Sequence, residues 1–168
     1  MSRAAWGTVA FFFAAPGTVG GFIPWWLVGD HNERGPMGAV VAGTVLVAVG
    51  VLGVIAAFAQ FVREGRGTPA PIAPTEELVV GGLYRYVRNP MYVFVGTIIA
   101  GQALIFLSWA VFGYLLGFLA LVFSFVTFYE QPTLRETYGK SYDDYLAAVP
   151  GWWPRLTPWH GRNSVSRG

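Results

Sequence analysis

Three stretches of this chain carry no charge at all: residues 4–28, 38–62 and 91–129, which are 25, 25 and 39 residues long. An α-helix needs about 20 apolar residues to cross the hydrocarbon core of a bilayer. The first two runs each suffice for one crossing. The third would make about 58 Å of helix, too long for one passage and right for a tight hairpin of two. Its turn is expected at residues 107–110, where Ser108 and Trp109 supply an interfacial pair. Backbone amides inside a bilayer must be satisfied within their own segment, so the spans are helices. Composition agrees: 12% of the residues are charged, where a soluble domain carries about 25%. The expected fold is an all-α membrane protein forming a single domain. Four transmembrane helices cover residues 4–28, 38–62, 91–108 and 110–129, a cytoplasmic loop covers 63–90, and an amphipathic helical tail covers 130–168.

The basic residues orient these spans. Four crossings put Arg3, Arg63, Arg66, Arg85, Arg88, Arg135, Lys140, Arg155, Arg162 and Arg167 on one side and Arg34 alone on the other. That asymmetry predicts an inner-membrane protein with both termini cytoplasmic. Residues 4–28 are long for the apolar core of a cleaved leader and read as a span. Pro16 and Pro24 kink it, which membrane helices tolerate when neighbours satisfy the freed carbonyls. There is no cysteine, and the two histidines, His31 and His160, lie far apart, so no metal centre is expected. A net charge of +2 gives no reason to expect a nucleic-acid partner.

Polar character gathers in the loop and the tail. In the loop, Pro69, Pro71 and Pro74 favour stiff, extended backbone, and Thr75 is placed to cap a short helix. In the tail, Leu134, Tyr138, Tyr142, Tyr145 and Val149 recur at spacings of three and four, tracing one helical face interrupted at Gly139. "GWWP" at residues 151–154 reads as an aromatic interfacial anchor.

"GLYRYVRNPMY", followed by "YEQPTLRETYGKSYDDYLAAVPGWWP", resembles the isoprenylcysteine carboxyl methyltransferase and phospholipid methyltransferase superfamily of integral membrane enzymes. Arg88, Asn89, Pro90 and Tyr92 match its R-[HN]-P-x-Y element. Glu130 and Leu134 match E-E-x-x-L. Tyr138, Gly139, Tyr142, Tyr145, Val149 and Pro150 match the aromatic element that follows. The resemblance implies an S-adenosylmethionine-dependent methyltransferase acting on a lipophilic acceptor at the cytoplasmic membrane face. It further implies a cofactor pocket lined by Glu77, Leu78, Val79, Tyr84, Asn89, Pro90, Met91, Tyr92 and Glu130, with Glu130 and Arg88 as catalytic groups.

Elementary chemistry is consistent with that assignment. Methyl transfer is a displacement at a sulfonium, so the protein's task is positioning and charge placement, with no need of a metal. A methionyl ammonium calls for a carboxylate, and tyrosine faces suit a sulfonium or an adenine ring. The chain departs from the pattern at Gln131, which replaces the second Glu, at the bulky Phe94, and at Val126. In the eukaryotic prenylcysteine enzymes an arginine stands at the position of Val126 to engage a substrate carboxylate, so such a substrate is not expected here.

An NADPH-dependent membrane reductase of the sterol reductase type shares part of the first element. It requires Asn, Gly and Glu where this chain has Met91, Phe94 and Val95. A membrane scaffold or transporter subunit is the non-enzymatic alternative. Gly113 and Gly117 offer a small-residue contact face that leaves the oligomeric state open.

Overall fold

The computed structural model describes residues 13–29, 33–64 and 78–161. Among them there is no strand. A π-helical segment, Phe13–Phe22, runs into α1 (Ile23–Val28), followed by α2 (Met37–Glu64), a single 3₁₀ turn (Gly82–Arg85), α3 (Pro90–Phe106) and α4 (Trp109–Phe125). A π turn, Val126–Glu130, then leads into α5 (Gln131–Tyr138) and α6 (Lys140–Ala148). Two continuous helical stretches are long and apolar enough to cross a membrane, Met37–Gln60 and Trp109–Tyr138, with mean hydropathies of 2.6 and 2.2. Helix α3 is also apolar but shorter, at 17 residues. Residues 4–12 of the expected first span, and Thr75, lie outside the described residues.

Large apolar side chains face outward along these helices, among them Leu52 and Trp26 at 67% exposure and Leu121 at 69%. Water would penalise such a surface, and lipid would not. The chain is a membrane protein.

Two features hold the helices together. The first is close approach of α2 and α3. A Cβ on Gly43 would stand 2.5 Å from the carbonyl oxygen of Gly101, and one on Gly101 would stand 2.6 Å from that of Gly43. About two and three turns further on, Gly50 lies under the Phe94 backbone and Gly53 under the Phe94 ring. Phe94, the bulky departure from the family pattern, is thus accommodated by a glycine on the neighbouring helix. Small residues do this work because lipid tails are as apolar as leucine, leaving contact and hydrogen bonding to drive helix association.

The second feature is the repair of the proline kink. Pro24 has no N–H, so it donates neither to Gly20 O, its partner in α register, nor to Val19 O, its partner in π register. Gln102 Nε2 of α3 donates to Gly20 O at 2.6 Å, and the Tyr114 hydroxyl of α4 donates to Val19 O at 3.0 Å. Two side chains from the hairpin therefore replace the donor that proline removes. Gln102→Leu keeps the volume and deletes this donor. It is expected to destabilise the protein by about 1–3 kcal/mol, the cost of stranding a buried acceptor, read as a lowered unfolding midpoint in detergent. An unchanged midpoint would show that Gly20 O does not depend on Gln102.

Leu107, in left-handed conformation at φ 43°, turns the hairpin, and Ser108 caps α4 by accepting from Val111 N at 3.3 Å. The core between these helices is built from Val95, Ile99 and Ala103 of α3 and Val111, Phe118 and Val122 of α4.

Candidate functional site

At the end of the hairpin opposite Leu107, α4 does not run straight into α5. Pro132, at the start of α5, lacks an N–H and its ring crowds the carbonyl one turn earlier. The chain responds with the π turn, in which Gln131 N donates to Val126 O, five residues back. Such widened turns recur at functional sites. The turn re-aims Glu130, whose Oε2 accepts from the Tyr92 hydroxyl at 3.1 Å. Tyr92 stands on the first turn of α3, begun by the fully buried Pro90. The two ends of the 39-residue uncharged run are thereby joined by one hydrogen bond.

The loop and the tail close over this junction. Arg88 N donates to Pro150 O at 2.9 Å and Asn89 N to Gly151 O at 3.3 Å, while Arg155 N donates to Tyr86 O and Trp159 N to Arg85 O. Arg85 and Arg88 reinforce the contact with their side chains. Arg85 Nε donates to Trp159 O and Arg88 Nε to Val149 O, each at 2.7 Å. Gly151 is a position of close approach, since a Cβ there would meet Arg88 Nη2 at 3.2 Å and Asn89 Nδ2 at 3.4 Å. The Arg88 guanidinium also acts electrostatically on Glu130 and on Tyr142.

The tail splits at Gly139, whose φ of 52° and ψ of −129° suit only glycine. Beyond it the tyrosine face turns inward. Tyr142, Tyr145 and Val149 are buried with Leu78, Val80, Leu134 and Tyr138 packed around them. The Tyr145 hydroxyl donates to Tyr84 O at 2.7 Å. Burial pushes the phenols of Tyr142 and Tyr145 above their ordinary range, although Arg88 opposes the rise in both. Both rings therefore stay neutral at physiological pH.

Of the residues singled out from the sequence, Tyr84, Arg88, Asn89, Pro90, Tyr92 and Glu130 meet at the base of the hairpin. Val79 is buried and Leu78 joins the tail core. Met91 is half-buried on the first turn of α3, and Glu77 lies outside the described residues. Apart from the tyrosines, Asn89 is the only buried polar side chain among the described residues, and its Nδ2 has no hydrogen-bond partner. An orphaned buried donor is costly and calls for an acceptor from elsewhere. Among the described residues no cluster of His, Cys, Asp or Glu has the makings of a metal site.

Sequence reasoning took the tryptophans of "GWWP" as an interfacial anchor and did not foresee their place beside the hairpin. Trp152 stacks on Phe123 of α4 with ring centroids 5.8 Å apart. Together with Trp153 it covers one end of an apolar groove that begins at Tyr92 and runs between α3 and α4. The signal was in the chain, as two adjacent tryptophans after the tail helix, but their partner depends on how far the tail folds back.

Apolar helices that expose their flanks and gather polar groups at one end define a membrane protein with a candidate site at that end. The model of the phospholipid methyltransferase family matches residues 39–141, more than half of the chain, which therefore belongs to that family, one of membrane methyltransferases. The match bears out the resemblance carried by Arg88–Tyr92 and Glu130–Gly139. No curated protein and no solved structure matches the chain.

Proposed function

We propose that this protein is an integral membrane methyltransferase that uses S-adenosylmethionine to methylate a lipophilic acceptor, with its site at the cytoplasmic face. The observation that carries the reading is the Tyr92–Glu130 hydrogen bond. It sets a carboxylate beside the polar cluster of loop and tail, while Tyr92 also lines the apolar groove between α3 and α4. A water-soluble cofactor and a lipid-soluble acceptor need such a meeting point.

The residues present fit the cofactor. Asn89 Nδ2 is a buried donor awaiting an acceptor. Tyr84 belongs to the proposed rim, backed by the buried Tyr142 and Tyr145, and Glu130 supplies negative charge for an ammonium or a sulfonium. When bound, S-adenosylmethionine supplies an electrophilic methyl group. The chain's own part is to hold and orient. Leu78, Val79, Tyr84, Asn89, Pro90, Met91 and Tyr92 form the rim, with Glu77 assigned there by the resemblance alone. Glu130 orients the acceptor's nucleophile and takes its proton. Arg88 is better read as a positioning residue than as a reacting one, because its Nε is committed to Val149 O. Fully buried Val126, at 1% exposure, leaves no cation for a carboxylate acceptor, which favours an amine, a thiol or another neutral nucleophile.

Four crossings with both termini cytoplasmic remain the arrangement that best accounts for the ten-to-one division of basic residues. The site then faces the cytoplasm, where the cofactor is made.

The test is calorimetry of S-adenosylhomocysteine with the purified protein in detergent. Wild type is expected to bind, and Tyr92→Ala and Glu130→Ala to bind about tenfold or more weakly, a loss of about 1.4 kcal/mol or more. Unchanged affinity in both variants would refute the placement of the site. Binding of NADPH instead would restore the reductase reading.

A further inference from the structure

Val79, Tyr84, Asn89 and Pro90 of the proposed rim are all buried. The tail covers the donor that most needs a ligand. A Cβ on Gly151 would stand 3.4 Å from Asn89 Nδ2 and 3.2 Å from Arg88 Nη2, so the backbone of the tail lies directly on both side chains. A water-soluble cofactor reaches Asn89 only if an element packed over it moves.

The two parts of the tail that lie over the loop are held in different ways. Helix α6 is held by burial, since Tyr142, Tyr145 and Val149 form a core of their own. Residues 150–159 are held by hydrogen bonds. After Gly151 none of them is buried, and Trp153 and Leu156 are 80% and 98% exposed. Four main-chain bonds join this segment to residues 85–89: Arg88 N to Pro150 O, Asn89 N to Gly151 O, Arg155 N to Tyr86 O and Trp159 N to Arg85 O. Arg85 Nε adds a bond to Trp159 O. Two ring contacts complete the hold, Trp152 on Phe123 and Trp159 on Tyr145, the latter at 5.3 Å. Water can replace such hydrogen bonds, so their net worth is small. Segments with few buried apolar contacts open well before the whole protein unfolds. Pro154 and Pro158 fix φ within the segment, which favours its moving as a stiff piece.

We infer that residues 150–159 form a strap that parts from residues 85–89 to admit the cofactor and then closes over it. The inference rests on the methyl-transfer reading above and adds how the cofactor comes and goes. Closing the strap over an unpartnered Asn89 Nδ2 is unfavourable. A ligand that presents an oxygen or a ring nitrogen to this donor removes the penalty, so binding favours closure. Gly151 lets the strap lie flat, because any side chain there would press on Arg88 and Asn89.

The chain has no cysteine, so an introduced pair is unique. Arg85→Cys combined with Trp159→Cys puts two thiols where Trp159 N donates to Arg85 O at 3.0 Å. A short, reducible thiol cross-linker locks the strap of the full-length protein in detergent, and dithiothreitol frees it in the same sample. Association and release of radiolabelled S-adenosylhomocysteine are both expected to slow about tenfold or more on locking, as for any binding that waits on a conformational change. Affinity is expected to change little, and reduction to restore both rates. Trp159→Ala removes the ring contact with Tyr145 and is expected to speed both rates, which gives a second test should the cysteine pair fail to fold. Hydrogen exchange without ligand provides an independent readout. The amides of Arg155 and Trp159 are expected to exchange about tenfold or more faster than that of Val149 in the tail core, and to slow on locking.

Unchanged rates in the locked protein, or in Trp159→Ala, would overturn the inference and give the cofactor another entrance. Strap amides as slow as that of Val149 would overturn it too, making residues 150–159 a fixed part of the fold. Calorimetry on the same samples separates the two proposals. Absent S-adenosylhomocysteine binding with strap amides still opening first would sink the cofactor reading, whereas normal binding with rates indifferent to locking would sink the strap alone.

Discussion

Replacing Glu130 with glutamine is expected to lower turnover by about two orders of magnitude or more, the usual contribution of a positioned acid–base group, while S-adenosylhomocysteine affinity falls less than about tenfold. Glutamine keeps the shape of the side chain and an oxygen able to accept from the Tyr92 hydroxyl, so the 3.1 Å contact joining α3 to the π turn survives. What it loses is negative charge and basicity. If Glu130 mainly held the hairpin ends together, Glu130→Gln would behave as wild type. If it takes the nucleophile's proton, turnover collapses in a protein that still folds and still binds. The measurement is transfer of labelled methyl into a membrane lipid extract, alongside calorimetry on the same preparation. Wild-type turnover in Glu130→Gln would remove the carboxylate from the mechanism. Tyr92→Phe provides a graded comparison: it deletes the hydrogen bond and keeps the charge, so its turnover is expected to lie between the two.

How much of this was written in the sequence follows from the range of the interactions involved. Uncharged runs report burial in lipid directly, so the apolar blocks and the reversal beside Ser108 are legible from composition alone. The tyrosine spacing of the tail is equally local, and Tyr142, Tyr145 and Val149 do share one buried face. The π turn before Glu130 was not legible, because Pro132 could have been absorbed by a plain kink. Nor were the partners of Gln102 and Tyr114, since a side chain's acceptor on another helix depends on the rotation of both helices. Arg85 and Arg88 are the plainest case. As sequence they read as cytoplasmic charge, with Arg88 also implied as catalytic, yet each donates its Nε to a tail carbonyl more than 60 residues away. An apolar slot between helices is expected of an enzyme with a lipophilic acceptor, but the residues that line the groove between α3 and α4 depend on how the two helices are rotated.

The largest stability effect is expected where two backbones touch. Gly→Ala within a helix ordinarily gains up to about 1 kcal/mol, because alanine is the better helix former. On α4 that is the expected outcome at Gly113, where an added Cβ meets nothing within 4 Å. At Gly43 the sign should reverse. An added Cβ would stand 2.5 Å from Gly101 O, and that neighbour is backbone, which cannot swing aside as a side chain does. Helices α2 and α3 must separate, and the cost of such overpacking is about 1–3 kcal/mol or more. The shift is not confined to the crossing. Asn89, Pro90 and Tyr92 sit at the start of the same rigid α3, so moving that helix stretches the Tyr92–Glu130 contact and loosens the loop from the tail. Gly43→Ala is therefore expected to lower both the unfolding midpoint in detergent and S-adenosylhomocysteine affinity, although its methyl group lies far from either ligand. Gly113→Ala should raise the midpoint and leave affinity alone. If both substitutions shift the midpoint in the same direction, helix propensity governs these glycines and close backbone packing does not hold α2 against α3.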